Sequence, residues 1–222
     1  MTTVRGRSLD SVRRWPDDPA AHRALANYLE GLPASPSAEQ TTSSLLNGHG
    51  LDFAGSDLSG LDLLGAELSE STLRRVLLVG ADLYTAWLIG AQLSEADLSG
   101  ADLRKVQGRG CHARNAKLCD ADLQGADFSQ SDFLAADVRG ARLQRASFSG
   151  SDLRDADLRD CVFGRTRLSR ARMAGCAVDG VSGLVIGPVD IGTDTPHLLD
   201  GPDLLSWFTS NGAADVEVRQ PA

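Results

Sequence analysis

Aspartate residues recur at a fixed spacing through the middle of this sequence, and they are its most prominent candidates for chemistry. Asp97 and Asp102 lie five residues apart, as do Asp122 and Asp127. A short carboxylate at a tight corner hydrogen-bonds nearby backbone amides and stabilises the turn. Periodic carboxylates on a regular surface are also more often solvated than paired for acid–base work. The spacing therefore predicts turns or an anionic surface, and not an active site.

Other catalytic or metal-binding patterns are absent from the sequence. The four histidines are scattered without ligand spacing, at His22, His49, His112 and His197. The four cysteines match no zinc pattern. Neither a Ser/His/Asp arrangement nor a phosphate-binding glycine motif stands in the required strand-to-helix context. We therefore expect a protein that is not an enzyme and that needs no cofactor and no metal.

The aspartates belong to a five-residue repeat that runs from residue 51 to residue 180. One unit reads Ala96-Asp97-Leu98-Ser99-Gly100, and the large apolar centre of each unit falls at positions ending in 3 or 8, from Phe53 to Val178. A period of five fits neither a strand nor a helix. The chain must turn at a fixed interval, so that every fifth residue faces the same interior.

This pattern resembles the A(D/N)LXX motif of the pentapeptide-repeat family, over about 130 of the 222 residues. The resemblance implies an all-β solenoid, a right-handed quadrilateral β-helix with four five-residue units per coil. Stacked coils would pair as in a parallel sheet, at a spacing of about 4.8 Å. We expect a helical N-terminal flank and linker over 1–50, the β-helix over 51–180, and a C-terminal cap or dimerisation helix with a tail over 181–222.

On this four-sided model residues 20 apart stack directly, which places four aspartates in one column. These residues, the aspartate column, are Asp62, Asp82, Asp102 and Asp122. Neighbours about one strand spacing apart repel each other, and the turns do not require them to share a side. The residues are either turn formers or an anionic surface that binds a partner by presenting what a DNA backbone presents.

A second outward feature is apolar and lies in the same half of the repeat. The residues expected to face solvent are Leu64, Leu77, Val79, Tyr84, Trp87 and Ile89. A contiguous exposed apolar patch needs a partner. That partner is either the N-terminal flank, folded back over the acidic half of the repeat, or another protein.

The repeat has one irregular stretch, at 104–115, where Gly108 and Ala113 leave two consecutive centres underfilled. Phe128 and Phe133 occupy the same centres in the next coil and would stand over the two gaps. We interpret the stretch as a compensated core, because an unfilled interior costs packing energy. The alternative is that residues 107–110 bulge outward as a loop.

Both flanks are expected to contain helices. Asp18 is a suitable N-cap before Pro19, and Gly31 is a suitable stop. Residues 33–37 read as a linker and residues 37–47 as a second short helix. The flank either caps the open end of the solenoid, whose unpaired edges need cover, or binds a partner.

At the other end, Pro202 opens an apolar helix that stops near Gly212. Its large apolar residues are Leu204, Leu205, Trp207 and Phe208. The helix either plugs the end of the coil or forms a two-fold dimer contact, and family members that act on topoisomerases join through their C-terminal ends. The last ten residues are expected to be disordered.

The charge is distributed unevenly along the chain. The total is −8, with −7 in residues 51–103 and +4 in residues 104–180. This balance argues against direct nucleic-acid binding, which needs clustered lysines and arginines. The first residues contain no apolar run typical of a signal peptide, and the sequence has no membrane span. We expect a soluble, cytoplasmic protein.

The resemblance implies a function that composition alone does not. Similar pentapeptide-repeat proteins mimic duplex DNA, bind DNA gyrase or topoisomerase IV, and protect the enzyme from quinolones or natural-product inhibitors, often as homodimers. The leading hypothesis is that this protein does the same through its aspartate column. The alternative is a structural or scaffold protein-interaction module with no topoisomerase role.

Overall fold

The computed structural model describes residues 5–32 and 45–220. Its named elements are a 3-10 turn Leu9–Ser11, helix α1 Pro19–Gly31, strands β1 Thr166–Arg167, β2 Ala171–Arg172, β3 Ser182–Ile186, β4 Val189–Asp190 and β5 Leu198–Leu199, helix α2 Gly201–Ser210, and strand β6 Asp215–Arg219. The repeat before β1 is held together by single-residue β-bridges and turns.

Residues 20 positions apart pair in parallel along the whole repeat. The bridges start at Asn47 with Glu67 and end at Val162 with Ser182. Around one bridge, the N–H of Leu63 donates to the C=O of Asp82 at 2.8 Å and the N–H of Asp82 donates to the C=O of Leu61 at 2.9 Å. The chain is thus a stack of coils, each with four five-residue units, and the expected repeat fold is confirmed at that level.

Units that occupy the same position in successive coils form a stack, and the coil has four of them. Stack 1 contains the units that begin at 61, 81, 101, 121, 141 and 161. Stacks 2, 3 and 4 contain those that begin at 66, 71 and 76 and at every twentieth residue from there, together with the units that begin at 51 (stack 3) and 56 (stack 4). Every surface residue of the repeat therefore has a defined stack and height.

Each unit turns because one residue adopts a left-handed backbone. The N–H of Ala81 donates to the C=O of Leu78 at 3.0 Å, and Gly80 between them has φ 63°, as the third residue of a type II turn requires. The aspartates support the turns through hydrogen bonds of their side chains. The Asp97 carboxylate, for example, accepts from the N–H of Ser99 at 3.1 Å. These side chains have the turn-forming role that their spacing suggested.

The irregular stretch at 104–115 stays inside the coil. The N–H of Gly108 donates to the C=O of Asp127 at 2.8 Å. A Cβ on Gly108 would lie 2.3 Å from a ring carbon of Phe128, so the phenylalanine ring fills the gap. Phe133 and Phe148 complete the cluster, with ring centroids 5.3–5.9 Å apart. The packed interpretation is confirmed and the bulged loop is wrong.

The predicted N-terminal helix is present as α1. The Asp18 side chain accepts from the N–H of Ala21 at 2.8 Å, and Pro19 opens the helix. Leu25, Tyr28 and Leu29 are buried in the same core as the first coils. The Tyr28 hydroxyl also donates to a backbone C=O of the repeat, that of Asp62, at 2.8 Å. Helix α1 therefore packs directly on the start of the solenoid.

The segment before α1 pairs with the free edge of the first coil. Gly6 bridges Leu61 in parallel, and Arg14 bridges Asp57 in antiparallel orientation. The backbone groups that would otherwise template aggregation are thereby satisfied at these positions. The predicted linker and most of the predicted second helix lie outside the described residues. Asn47, at the end of that predicted helix, bridges Glu67 and is not helical.

The repeat loses its phase towards the C-terminus. The spacing between paired residues is 20 for Val162 with Ser182, and it falls to 19 for Thr166 with Val185, in β1 and β3. Between β2 and β4 it is 18. β5 then pairs antiparallel with β4, and β6 pairs in parallel with β3. The expectation of disorder in the last ten residues is wrong for β6, whose backbone completes a three-stranded sheet.

Helix α2 covers the end of the coil with one face. Leu204 and Phe208 are fully buried, and the Phe208 ring lies 6.4 Å from that of Phe163 in the last regular coil. Trp207 is partly buried and packs against the same core, whereas Leu205 on the other face is 39% exposed. The cap interpretation thus accounts for three of the four predicted residues, while Leu205 remains exposed.

Filling the gap at position 108 should destabilise the solenoid. Gly108→Leu introduces a side chain where the Phe128 ring lies, and overpacking of this kind costs about 1–3 kcal/mol. Adding Phe128→Leu should recover part of that loss, with a coupling of about 1 kcal/mol because the two residues share one space. Urea unfolding of both single variants and the double variant measures it. Additive effects would contradict the compensated core.

Truncation of the buried face of α2 should loosen the C-terminal end. Phe208→Ala removes a fully buried ring and should cost about 3–5 kcal/mol. Ser206→Ala, on the exposed side of the same helix, should change the free energy of unfolding by no more than about 0.5 kcal/mol. Thermal and urea unfolding compare the two. A small effect of Phe208→Ala would mean that α2 is not a cap.

Candidate protein-interaction surface

The four residues of the aspartate column lie in consecutive coils, each bridged to the next. Each carboxylate also accepts from the backbone N–H two residues further on, at 3.0–3.3 Å. The fold thus uses one oxygen of each aspartate to hold its turn. Whether the column can act as an anionic surface depends on whether the other oxygen of each carboxylate is paired with a cation.

Two arginines of the N-terminal segment lie against Asp62 and Asp82, the first two residues of this column. Arg7 donates a charged hydrogen bond to Asp62, whose side chain is only 9% exposed. The Arg5 Nε lies 3.9 Å from a carboxylate oxygen of Asp82. Burial is the main cause of a raised pKa for Asp82, although the backbone N–H of Tyr84 and Arg5 favour its ionised form. Asp62 and Asp82 are therefore neutralised from within the chain.

Asp102 and Asp122, the last two residues of the column, are paired with arginines of the repeat. Arg104 Nη2 lies 2.6 Å from Asp102, and Arg142 Nη1 lies 3.2 Å from Asp122. Burial would raise the pKa of Asp102, but hydrogen bonds from Arg104 outweigh it and the pKa is lowered. Stack 1 carries five basic and four acidic residues in all. The part of the aspartate column in partner binding stays a prediction, and the surface around it is close to neutral.

The negative charge of the repeat is concentrated on stack 4. From residue 51 to 180, stacks 2 and 3 are each neutral and stack 1 has a net charge of +1. Stack 4 has seven acidic and three basic residues, a net charge of −4. Its acidic residues are Asp57, Asp97, Asp120, Asp137, Asp157, Asp160 and Asp179. This stack is the only strongly charged one of the four.

Only two of the seven carboxylates on stack 4 form an ion pair within the described residues. Arg139 Nη2 lies 2.7 Å from Asp137, and Arg159 Nη2 lies 2.6 Å from Asp157. The hydrogen bonds from Arg139 lower the pKa of Asp137 to about 2. Within the part of the chain that the structure describes, no ion pair engages the remaining five, which are Asp57, Asp97, Asp120, Asp160 and Asp179.

The predicted apolar patch extends over more than one side of the coil. Its residues lie in three successive units of one coil and in one unit of the coil before it. They therefore fall on three stacks: Leu77 and Val79 on stack 4, Leu64 and Tyr84 on stack 1, and Trp87 and Ile89 on stack 2. The turn between units therefore places these residues on different sides of the coil, and their part in partner binding stays a prediction. Val79, Trp87 and Ile89 are the most exposed of the six, at 43%, 46% and 40%.

Tyr84, at the centre of the predicted patch, is covered by cations. Arg104 and Lys105 lie 5.2 Å and 5.3 Å from its ring centroid, and Lys105 also donates to its hydroxyl at 2.9 Å. The N-terminal segment, proposed above as a cover for the patch, pairs instead with the aspartate column. Trp87 and Ile89 remain as a small exposed apolar pair.

The stack 4 carboxylates were missed at the sequence level, although the signal was available. Each residue number, counted within the 20-residue coil, gives the stack on which the residue lies. The charges of stack 4 and stack 1 can therefore be separated from the sequence alone. The neutralising role of Arg5 and Arg7 could not be found in that way. It depends on how the N-terminal segment folds back, and the five-residue repeat contains no information about that segment.

Three of the four cysteines belong to the core. Cys111, Cys161 and Cys176 are buried free thiols, and burial raises the pKa of each to about 12. In residues 5–32 and 45–220, no cluster of His, Cys, Asp and Glu could hold a metal ion. No helix within the same residues has the length and apolar character needed to cross a bilayer.

Several solved structures resemble this fold. A trypsin-treated form of QnrB1, a plasmid-mediated fluoroquinolone resistance protein, is 18% identical, with 79% of this chain and 90% of that chain covered and a TM-score of 0.55. A pentapeptide repeat protein from the Arabidopsis thaliana thylakoid lumen is 32% identical over 45% of this chain and 69% of that chain, with a TM-score of 0.44. A comparison with curated protein sequences found no match.

The family comparison covers the same stretch as the stacked coils. The model of pentapeptide repeats matches in eight copies, over residues 49–84, 77–111, 86–125, 111–150 and 146–182. These ranges contain more than half of the chain and coincide with the stretch that the regular bridges hold together. The likeness to QnrB1, at its low identity, shows a shared fold. The chain therefore belongs to the pentapeptide-repeat family.

Proposed function

We propose that this protein is a non-enzymatic DNA mimic that binds a type II topoisomerase, DNA gyrase or topoisomerase IV, and protects it from quinolones or natural-product inhibitors. The observation that carries the proposal is the net charge of −4 on stack 4. A surface that binds duplex DNA must be basic, and a rigid anionic rod offers it a substitute. The proposal requires a cytoplasmic protein, because the partner acts there.

The spacing of the charges supports this mode of binding. The backbone bridges fix the height of every unit, so the carboxylates of stack 4 recur at multiples of about 4.8 Å. A duplex presents one phosphate per strand at about every 3.4 Å along its axis. Five of the seven carboxylates lack a cationic partner in the described residues, so their charge is available to the enzyme.

The proposal includes the overall shape and symmetry of the rod. We propose that the coils close as a right-handed quadrilateral β-helix and that two chains join at their C-terminal ends. The outward face of α2 supports the second point, since Leu205 is 39% exposed and Leu198 nearby in sequence is 52% exposed. A two-fold axis there would continue one rod into the next and suit an enzyme that is itself symmetric.

The functional proposal is tested by a gyrase supercoiling assay and a DNA-cleavage assay with a quinolone. Wild-type protein should inhibit supercoiling at high concentration and reduce quinolone-induced cleavage at lower concentration, because it competes for the DNA-binding surface. The same assays with topoisomerase IV establish the preferred enzyme. Absence of binding, inhibition and protection with both enzymes would refute the proposal.

Two matched triple variants locate the interacting surface. Asp97→Asn, Asp120→Asn and Asp160→Asn together remove three unpaired charges from stack 4 and should abolish most of the effect. The control, Asp82→Asn, Asp102→Asn and Asp122→Asn, removes three charges that are already paired and should have little effect. Asparagine keeps the turn hydrogen bonds and tolerates the left-handed backbone, so both variants should fold, which circular dichroism verifies. The reverse order of effects would return the role to the aspartate column.

The dimer is tested by one substitution on the exposed face of α2. Leu205→Asp places a charge in the proposed contact and should convert a dimer into a monomer, while Ser206→Ala should leave the mass unchanged. Sedimentation velocity distinguishes the two species. A wild-type protein that is monomeric at all concentrations, or a Leu205→Asp variant that stays dimeric, would contradict the proposed contact.

A second candidate function is a scaffold that docks another protein through Trp87 and Ile89. These side chains lie two residues apart on stack 2 and are 46% and 40% exposed. Tryptophan is enriched among the residues that dominate binding energy at interfaces. Negative results in both topoisomerase assays would favour this candidate over the first.

A further inference from the structure

An arginine-rich surface lies near the C-terminal end of the repeat. The units 141–150 and 161–170, in the last two coils of stacks 1 and 2, contain five basic residues and no acidic residue. These are Arg142, Arg145, Arg165, Arg167 and Arg170, and all five are exposed. In a chain with a net charge of −8, this local excess of positive charge indicates a specific use.

Four of these arginines have no carboxylate partner among the residues that the structure describes. Arg142 is paired with Asp122 at 3.2 Å. Across residues 5–32 and 45–220, no ion pair engages the other four, which we call the arginine face: Arg145, Arg165, Arg167 and Arg170. Arg139 and Arg159 differ, because each pairs with the aspartate of its own unit.

The turns do not require arginine at these positions. Arg145, Arg165 and Arg170 occupy left-handed corners, with φ between 59° and 62°. Such a backbone costs an L-residue roughly 1–2 kcal/mol that glycine avoids. Gly125 and Gly150 fill equivalent corners in the same two stacks. The arginine side chains therefore occupy these corners at some cost to the fold.

The register brings the arginine face together. Arg145 and Arg165 lie in consecutive coils, about 4.8 Å apart along the stack. Arg167 bridges Ser147 and pairs with Ile186, which in turn pairs with Arg219 of β6. Arg219 thus extends the positive surface about two strand spacings beyond Arg167.

Acidic residues surround the arginine face without entering it. Asp122 and Asp127 lie in the coil before it, one bridge away from Arg142 and Ser147. On the other side, Glu217 and Asp215 of β6 are separated from β1 and the preceding coil by β3. The hydroxyls of Ser147 and Ser149 lie on the same stack as Arg167 and hydrogen-bond each other at 3.3 Å.

We propose that the arginine face binds the phosphate backbone of duplex DNA. The planar guanidinium matches phosphate oxygens in a bidentate geometry, and arginine and serine are the side chains that commonly contact the backbone. A protein partner is less suitable, because the core of a protein interface is mostly apolar and these units offer little exposed apolar surface. The only large apolar side chain exposed in these units is Val162.

This inference differs from the expectation based on total charge. The net charge of −8 averages over stacks that point in different directions, whereas a phosphate contact depends on the local field within about 8–10 Å. Binding should therefore be weak, limited to one surface and strongly salt-dependent. The inference does not rest on the topoisomerase proposal, since stack 4 and the arginine face share no residue.

The test is fluorescence anisotropy of a labelled 20-base-pair duplex, without any enzyme, from about 50 to about 200 mM salt. The variant carries Arg145→Gln, Arg165→Gln, Arg167→Gln and Arg170→Gln. Each phosphate contact contributes about 0.9 to the slope of log K against log salt. The wild-type slope should therefore exceed that of the variant by about 3.6 if all four bind. Glutamine keeps the aliphatic stem, and an unchanged melting temperature shows that the variant is folded.

A matched control removes the same charge elsewhere: Arg13→Gln, Arg14→Gln, Arg23→Gln and Arg74→Gln. It should bind DNA with nearly the wild-type slope. Equal loss in both variants, or no binding by the wild type at the lowest salt, would overturn the inference. Salt-dependent self-association that the arginine-face variant abolishes, without DNA binding, would also overturn it and assign the face to stack 4 of a second copy. Topoisomerase assays with the variant keep this outcome separate from the functional proposal.

Discussion

The structure depends on one constraint, the pair of backbone hydrogen bonds that joins residues 20 positions apart. Because the bridges from Asn47 with Glu67 to Val162 with Ser182 all have this spacing, a residue number defines both the stack and the height of a side chain. The interior can then be filled by a small and a large residue per unit, and local defects are compensated vertically, as Gly108 and Phe128 demonstrate. The ends are the places where the constraint fails, and both are covered by helices that contribute to the core.

Because the repeat places carboxylates at regular positions on the surface, the local charge depends on which of them form ion pairs with arginines. A carboxylate before the centre of a unit always supports its turn, so its presence alone indicates nothing about binding. What differs between stacks is whether an arginine lies beside it. Stack 1 has such arginines, including two from the N-terminal segment. Among residues 5–32 and 45–220, by contrast, five carboxylates of stack 4 and the four cations of the arginine face have no ion pair. The repeat therefore carries its negative and its positive surface on different stacks.

The sequence predicted the periodic core, the turn role of the aspartates, helix α1 with its Asp18 cap, and the packing of Phe128 over Gly108. These features are local or repeat with a fixed period, so the residues themselves contain the information. The neutralisation of Asp62 by Arg7 and the burial of Phe208 against Phe163 could not be predicted, since each depends on the path of a non-repeating flank. The sequence spacing of the apolar residues did not show that they lie on three stacks, because neighbours in sequence such as Val79 and Trp87 are separated by the turn between units.

The central claim is that stack 4 occupies the DNA-binding surface of a type II topoisomerase. Competition measures this most directly, with labelled protein bound to purified gyrase and unlabelled duplex DNA added in increasing amounts. The arginine-face variant is the suitable probe, because its own contact with DNA is removed. The account predicts that duplex DNA displaces the protein completely. The apparent Kd of the protein for gyrase should then rise linearly with DNA concentration. Binding that persists at saturating DNA would contradict it and indicate a site elsewhere on the enzyme.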